Sequence, residues 1–377
     1  MIHRPFWVQK INVAWKKRPL VWLSGVRRVG KTTLSKMLGE HIYLNCDLPS
    51  VKKRLEDSEN YFPGITAGST IVIDEVHRLD DPSQVLKIAA DEYPELKILA
   101  TGSSTIEATS KFKDSLTGRK TSIYLSPVLW DECGNLFGLY DLDKRLLNGG
   151  LPEMLLATSK DTSFYAEWMD SFYARDVQEL FNIRNRQGFM KLMQLILMNS
   201  GNFIEHTQLS KHTGLTRPTV YSYLDSLSIA NFLYLLPPFH GGGKREITQR
   251  PKCYAFDTGF VTFAKGWNEI RDEDRGILWE HLVLDMLRTT ILPSNIFYWR
   301  NKSGLEIDFV IRQENNQVDV FECKINPAHF SIKHFIYFRE IYKQGRNFCI
   351  CPNTKESYRV HINGYDIDFI SDLKSIY

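Results

Sequence analysis

Short apolar runs separated by helical patterns open the chain. Leu20–Ser24, Ile42–Asn45, Thr70–Asp74, Lys97–Thr101 and residues 123–125 each read as a short strand. Strands that alternate with helices form parallel βαβ units, so the first third predicts an α/β domain. Beyond about residue 130 the apolar positions recur at helical spacing, and they do so to about residue 235. Pro237-Pro238-Phe239-His240-Gly241-Gly242-Gly243 breaks that pattern and predicts a hairpin tip or hinge. From about Cys253 strands return around one strong helix at residues 276–290. No internal repeat or low-complexity stretch interrupts this order.

Composition narrows the class without naming a function. A chain of 377 residues exceeds one ordinary core and suits two or three domains. Hydrophobic residues at 43% and charged residues at 24% fit a globular protein, against disordered, collagen-like or coiled-coil readings. No apolar run approaches the roughly 18–20 residues of a membrane span. The first nineteen residues carry scattered charges and no hydrophobic signal core, so a cytoplasmic protein is expected. The six cysteines (46, 133, 253, 323, 349 and 351) are too scattered for a disulfide framework. Cys349-Ile350-Cys351 lacks a second pair for zinc, so reduced, buried thiols are expected. A net charge of +3 permits nucleic-acid binding but does not argue for it.

The first chemical motif is Gly25-Val26-Arg27-Arg28-Val29-Gly30-Lys31-Thr32, which fits G-x-x-x-x-G-K-[ST]. It follows an apolar strand and opens a helix expected over residues 32–39, the context a phosphate loop requires. Glycines let backbone N–H groups wrap phosphates. The spacing predicts ATP against Gly25, Arg28, Val29, Gly30, Lys31, Thr32 and Thr33. Lys31 would reach the β- and γ-phosphates and Thr32 would hold Mg²⁺. Arg27 and Arg28 touch phosphate or face solvent. Thr70–Asp74 ends in an acid pair: Asp74 joins the magnesium shell, and Glu75 orients and deprotonates the attacking water. Lys97–Thr101 leads into Gly102-Ser103-Ser104, where Ser103 is a candidate γ-phosphate sensor.

These runs, RRVGKTTL, IVIDEVHRL and LATGSS, precede Ser115-Leu116-Thr117-Gly118-Arg119 and Leu125-Ser126-Pro127. Together they resemble a bacterial and archaeal family of AAA+-type ATPases with a helical region and a C-terminal nuclease-like domain. Asn148-Gly149-Gly150-Leu151-Pro152-Glu153 and Tyr173-Ala174-Arg175-Asp176-Val177 match further blocks of that family, so the resemblance spans nearly the whole chain. It implies a homo-oligomer in which an arginine completes a neighbour's γ-phosphate site. Arg119 is the first candidate for that finger and Arg175 the second; a plain surface arginine is the alternative for Arg119.

Residues 207–220 have helix–turn–helix logic, with Thr207 and Thr216 as N-caps, Gly214 at the turn and Pro218 early in the second helix. Val220, Leu224 and Leu227 fall on one helical face and predict a core. Arg217, Thr219, Tyr221 and Ser222 then face outward, and residues 232–236 with 244–252 supply a winged hairpin, resembling the family's winged-helix module. Over residues 187–260 seven Lys/Arg (191, 211, 217, 244, 245, 250, 252) oppose four Asp/Glu (205, 225, 246, 257), a balance of 7 − 4 = +3. Candidate DNA contacts are Arg217, Thr219, Tyr221, Lys244, Arg245 and Arg250, giving salt-sensitive binding. A module that only packs domains or binds protein is the alternative. His206, His212 and His240 sit at no metal-ligand spacing.

Residues 304–311 read as a strand in strict alternation, with Glu306 and Asp308 on one face and Ile307, Phe309 and Ile311 on the other. Residues 318–324 read as a second strand with Glu322 and Lys324 on one face. Asp308 and Glu322-x-Lys324 resemble the D…E-x-K core of restriction-endonuclease-like nucleases, and Glu280 matches the extra acid on the preceding helix. Asp308, Glu322 and Glu280 would hold Mg²⁺, with Lys324 orienting the bound water. A charged hairpin, or a nuclease fold without catalysis, is the alternative.

The expected architecture is therefore α/β. A P-loop NTPase (AAA+-like) parallel-sheet domain spans residues 1–130 and a helical lid or linker 131–186. A winged helix spans 187–252 and an α/β restriction-endonuclease-like domain 253–377. The expected function is a Mg²⁺-dependent ATPase that couples nucleotide state to binding of duplex or branched DNA. An ATP-gated, metal-dependent nuclease and a protein-docking signalling NTPase with an inert nuclease-like domain are the alternatives.

Overall fold

The first strand, β1 (Leu20–Ser24), is apolar on both faces and buried throughout. In a computed structural model that describes residues 2–102, 112, 115–181, 183–241, 250–373 and 376, it lies inside a parallel sheet. Its companions are β2 (Ile42–Asn45), β3 (Thr70–Asp74), β4 (Lys97–Thr101) and β5 (Lys120–Tyr124), in the order β2-β3-β4-β1-β5. Side chains of a strand alternate between faces. Val21 and Leu23 accordingly join Trp7 and Ile11 in one core, while Leu20 and Trp22 join Ile71 and Ile98 in the other. Helices cover both faces, which is why the strands read as continuous apolar runs. This is the parallel-sheet P-loop NTPase fold. β5 begins three residues earlier than its apolar run suggested, because Lys120, Thr121 and Ser122 pair with Leu20, Val21 and Trp22 at the sheet edge.

A helical region follows, including Trp130–Phe137, Leu142–Asn148, Thr162–Phe172 and Arg186–Met198, with one wide turn of π-helical geometry at Tyr173–Val177. Next come β6 (Asn202–Phe203), the helices His206–Thr213 and Arg217–Ile229, and β7 (Leu233–Leu236) and β8 (Lys252–Ala255). The three strands form an antiparallel sheet in the order β6-β8-β7. Gly214, at φ +71°, ends the first helix, and Thr216 caps the second through a 3.4 Å bond from the Thr219 N–H. Val220, Leu224 and Leu227 are buried, as their spacing predicts.

The boundary expected between residues 252 and 253 needs correction, because it cuts β8. The chain beyond β8 also packs backward: Asp257 caps the helix Thr258–Ala264, and Trp168 has Phe256 stacked on it and Phe260 edge-on, both at 4.7 Å. Tyr165 meets Phe260 and Phe263 in the same way. The C-terminal unit starts instead near the helix Asp272–Thr290. Its sheet comprises β9 (Ile296–Arg300), β10 (Glu306–Arg312), β11 (Val318–Cys323), β12 (Asn347–Ile350), β13 (Tyr358–Ile362) and β14 (Tyr365–Ile370), ordered β13-β14-β12-β11-β10-β9. β12 runs parallel to both neighbours and the other pairs are antiparallel. The strict alternation expected in β10 fails at a register shift between Ile307 and Val310. Ile307 and Val310 share one core, and Phe309 and Ile311 join the other.

Buried polar groups stitch these parts together. Arg145, 1% exposed, donates to the Val128 carbonyl at 2.8 and 3.1 Å and to Thr258 Oγ1 at 3.1 Å. Asp257 accepts the Gly150 N–H at 2.6 Å. Gly149 has φ +77°, and a Cβ there would stand 1.9 Å from the Asp257 carboxylate, so only glycine fits. Asp285 is buried on the helix Asp272–Thr290, and withdrawal from water pushes its pKa up to about 7 despite Arg288 and Arg145, with Asp257 adding to the rise. An acid whose folded pKa lies above its unfolded value costs stability as pH rises. The cost is absent below about pH 4 and complete above about pH 7. Asp285→Asn is expected to gain on the wild type in denaturant midpoint as pH rises across that window, by at most about 4 kcal/mol. A constant gap between the two proteins contradicts the assignment.

Candidate active site

β1 and β3 end at the same edge of the parallel sheet, separated by β4, and the phosphate-loop sequence leaves β1 there. The loop's turns need left-handed backbone at Gly30 (φ +99°) and Arg28 (φ +60°), while a Cβ on Gly25 would lie 2.7 Å from the Leu125 carbonyl. Lys31 folds over the loop, donating to the carbonyls of Gly25 at 2.8 Å and Val26 at 3.1 Å. Its withdrawal from water lowers its pKa, opposed by Glu75, Asp176 and Asp74.

Asp74 is the fixed point of the site. It is 3% exposed. Its Oδ2 accepts from Thr32 Oγ1 at 2.9 Å and from the Tyr43 hydroxyl at 2.5 Å, and its Oδ1 from the Thr101 hydroxyl. β2, β3 and β4 are adjacent, so Tyr43 and Thr101 reach Asp74 from either side. Thr101 Oγ1 also accepts the Glu75 N–H at 3.1 Å. Glu75 itself holds a left-handed backbone at φ +56°, unusual for a non-glycine residue, and burial raises its carboxyl pKa. Its Oε2 stands 3.2 Å from His77 Nδ1.

A cavity of about 1090 Å³ opens over these groups. Gly25, Arg28, Val29, Gly30, Lys31, Thr32, Thr33 and Glu75 line it. Ile2, Met37, Phe137 and Leu156 supply apolar wall, and Arg4, Arg175 and Asp176 polar wall. Arg4 is held by Glu132 at 2.6 and 2.9 Å. The far wall also grips the loop. Arg27 meets Asp176 at 3.1 Å and Ser171 at 3.2 Å, its carbonyl accepts from Trp168 Nε1 at 3.1 Å, and Arg28 lies 3.5 Å from Glu153. Tyr43, Thr101, Arg4 and Asp176 were given no site role by the sequence reading. Thr101 had a signal as the last residue of the strand beside the acid pair, and Asp176 as part of a family-like block.

Arg119 lies elsewhere. It precedes β5, whose Lys120 pairs with Leu20 and whose Tyr124 pairs with Ser24, so it sits at the sheet edge opposite the loop, roughly 15 Å away along the strands. There it binds Asp91 at 2.6 Å. It cannot serve its own chain's cavity, whereas Arg175 lines it. Ser103, Lys244 and Arg245 lie outside the described residues.

The outward face of the helix Arg217–Ile229 carries Arg217 and Tyr221, both exposed, and Tyr221 stacks on His206 at 4.0 Å. Thr219 is half-buried, its hydroxyl 2.8 Å from Thr216 Oγ1. Arg250 pairs with Glu205. Lys252, counted above among the basic surface residues, is 4% exposed and points inward.

In the C-terminal sheet Asp308 Oδ2 accepts the Cys323 N–H at 2.8 Å, and Lys324 Nζ donates to Glu322 Oε1 at 2.7 Å. Glu322 is 4% exposed, and its Oε2 has no hydrogen-bond partner. Withdrawal from water, with Glu322 and Glu280 nearby, pushes the Asp308 carboxyl well above the usual range. Glu280, expected as an added metal ligand, is held by two donors from another sheet. Its Oε1 accepts from Lys252 Nζ at 2.9 Å and from the Tyr254 hydroxyl. Among the described residues no three His, Cys, Asp or Glu side chains converge as a ready metal cage. The unpartnered Glu322 oxygen beside Asp308 fits a hard cation nonetheless. No described helix is long and apolar enough to cross a membrane.

Residues 17–134 match the family described as AAA domain. Residues 139–271 match Domain of unknown function (DUF8612), and residues 275–368 match Domain of unknown function (DUF4143). The division at 271–275 agrees with the corrected boundary. Uncharacterized protein Rv2008c of Mycobacterium tuberculosis is similar, 28% identical over 325 residues that make up 82% of this chain and 71% of that one. Uncharacterized protein MJ1544 of Methanocaldococcus jannaschii is 26% identical over 329 residues, 78% of this chain and 72% of its own. Among solved structures, the Walker-type ATPase PABY2304 of Pyrococcus abyssi is 16% identical, covers 70% of this chain and 96% of its own, and has a TM-score of 0.45. With the motif, the sheet order and the family match in agreement, residues 17–134 form an AAA-type P-loop ATPase domain.

Proposed function

We propose that this chain hydrolyses ATP with Mg²⁺ in the cavity beside Asp74 and that the nucleotide state governs DNA binding by the middle region. The observation that carries it is the three-way hold on Asp74 beside Lys31 and Glu75. The loop N–H groups and Lys31 receive the phosphates; for that, Lys31 exchanges the Gly25 and Val26 carbonyls for phosphate oxygens. Thr32 and Asp74 would hold Mg²⁺, which would supply positive charge against the phosphates. Glu75 orients a water against the γ-phosphorus and takes its proton as the bond to the β-phosphate oxygen breaks. Arg175 supplies positive charge from the same chain, and Arg119 serves a cavity only if a second copy brings it there.

Glu75→Gln keeps the volume and removes the base. Nucleotide affinity is expected to stay within about twofold while turnover falls by about a hundredfold or more. Normal hydrolysis by this variant contradicts the mechanism.

DNA engagement rests on the helix pair 206–229 and the β7–β8 hairpin, read as a winged helix with Arg217 and Tyr221 outward. Arg217→Ala is expected to weaken duplex binding uniformly across sequences and to lower the salt slope by about one. Fluorescence anisotropy over a salt series measures both. A wild-type chain without any salt-dependent shift favours a module that docks on protein.

The unpartnered Glu322 oxygen favours a second reading, a nucleotide-gated nuclease at Asp308, Glu322 and Lys324. Metal-titrated cleavage should then vanish in Asp308→Ala and Lys324→Ala. Equal or absent cleavage in all three proteins leaves a binding-only domain.

A further inference from the structure

The carboxylate cluster of the C-terminal sheet contains a cation that its own strands do not supply. Lys252 is the first residue of β8, in the sheet of the preceding region, opposite Phe203 and Leu236. Its side chain runs inward past the rings of Phe203 and Tyr298, 6.0 and 5.9 Å from the ammonium, and is 5% exposed. The ammonium then lies 2.9 Å from Glu280 Oε1 and 2.5 Å from Glu306 Oε1. Tyr254, two residues on and on the same face of β8, donates its hydroxyl to the same Glu280 oxygen. Glu280 is thus committed to two donors from a neighbouring sheet. Glu322 is not: one of its oxygens binds Lys324, and the other, deeply buried, has no partner.

We propose that Lys252 is a resident counter-cation of this cluster, taking Glu280 and Glu306 out of the ligand set and leaving Asp308 and Glu322 to hold a single divalent cation. The inference rests on the second reading above only in taking Asp308 and Glu322 as the ligand pair. Two consequences separate it from the pattern of residues in the sequence. Glu280, placed by that pattern among the ligands, contributes nothing to metal affinity. The ion-binding site also spans two regions of the chain, because its electrostatic balance is set by a strand that leaves the hairpin of the middle region.

The ammonium repels a divalent ion at close range through a medium drier than water. Removing it should strengthen metal binding, both by relieving that repulsion and by freeing the Glu280 and Glu306 carboxylates. The test is equilibrium Mn²⁺ binding to the full chain without nucleotide, with free Mn²⁺ read by electron paramagnetic resonance. The phosphate loop is common to all the proteins compared, so differences report the C-terminal cluster. Asp308→Asn is expected to lose a Mn²⁺ that the wild type holds. Glu280→Gln should keep that ion within about twofold of the wild-type affinity, and Lys252→Met should bind it about tenfold more tightly.

Loss of Mn²⁺ in Glu280→Gln equal to that in Asp308→Asn overturns the proposal while leaving a metal site in place. So does an unchanged affinity in folded Lys252→Met. Binding that Asp308→Asn leaves intact overturns the metal reading of the cluster, and the proposal with it. Lys252→Met strips a partner from two enclosed carboxylates and risks unfolding. If its thermal melt shows that it has unfolded, the comparison of Glu280→Gln with Asp308→Asn decides alone.

Discussion

Arg27 is held at both ends by one helical run, and the proposed coupling of nucleotide state to the middle region rests on it. Its carbonyl accepts a bond from Trp168, and its guanidinium meets Ser171 and Asp176. All three partners lie between residues 162 and 177. A phosphate loop must adjust its backbone to what it binds, and here that backbone cannot shift without pulling on the helix. Trp168 in turn stacks on Phe172 and Phe256, whose neighbours Phe232 and Phe260 belong to the core under the β7–β8 hairpin. Packed interiors pass on a displacement rather than absorb it. The wide turn at Tyr173–Val177 has a plain use in this light, since it carries Arg175 and Asp176 into the cavity wall. Extra-residue turns inside helices recur at functional sites for such reasons.

The parts legible in the sequence were those whose signal is local. A glycine-rich loop between an apolar strand and a helix, and an acid pair ending a strand, each specify their geometry within a few residues. The parallel sheet followed from the alternation of strands and helices. What stayed hidden depends on contacts across the fold. Lys252 reads as a surface charge in a basic run, and only the packing of β8 against the helix Asp272–Thr290 turns it inward. Arg119 reads as a finger for a neighbour's site from its place in a motif, and strand register, which puts it at the far edge of its own sheet, was not legible there. The register shift in β10 left no mark in its alternating residues, because both faces of that strand are covered. Gly149 was visible as part of a block, and its reason, the Asp257 carboxylate from over a hundred residues away, was not.

The same corrections redistribute the charge. With Lys252 buried and Arg250 engaged by Glu205, two of the seven basic residues of the middle region face a carboxylate rather than solvent. The DNA binding proposed for this surface would then rest on few phosphate contacts, which makes it weak and gives it a shallow salt slope. Positive charge removed from the surface reappears in the C-terminal cluster. One strand therefore serves two purposes, and its residues join the sheet of the middle region to the carboxylates beyond it.

Hydrogen–deuterium exchange of the Glu75→Gln chain, with and without Mg²⁺ and ATP, tests the central claim most directly. The account predicts that nucleotide slows exchange in the loop at residues 25–35 and changes it at residues 162–177 and again in the helices at residues 206–229. Protection confined to the loop and the strand ends around it, with exchange at residues 162–177 unchanged, would contradict a nucleotide state read through Arg27.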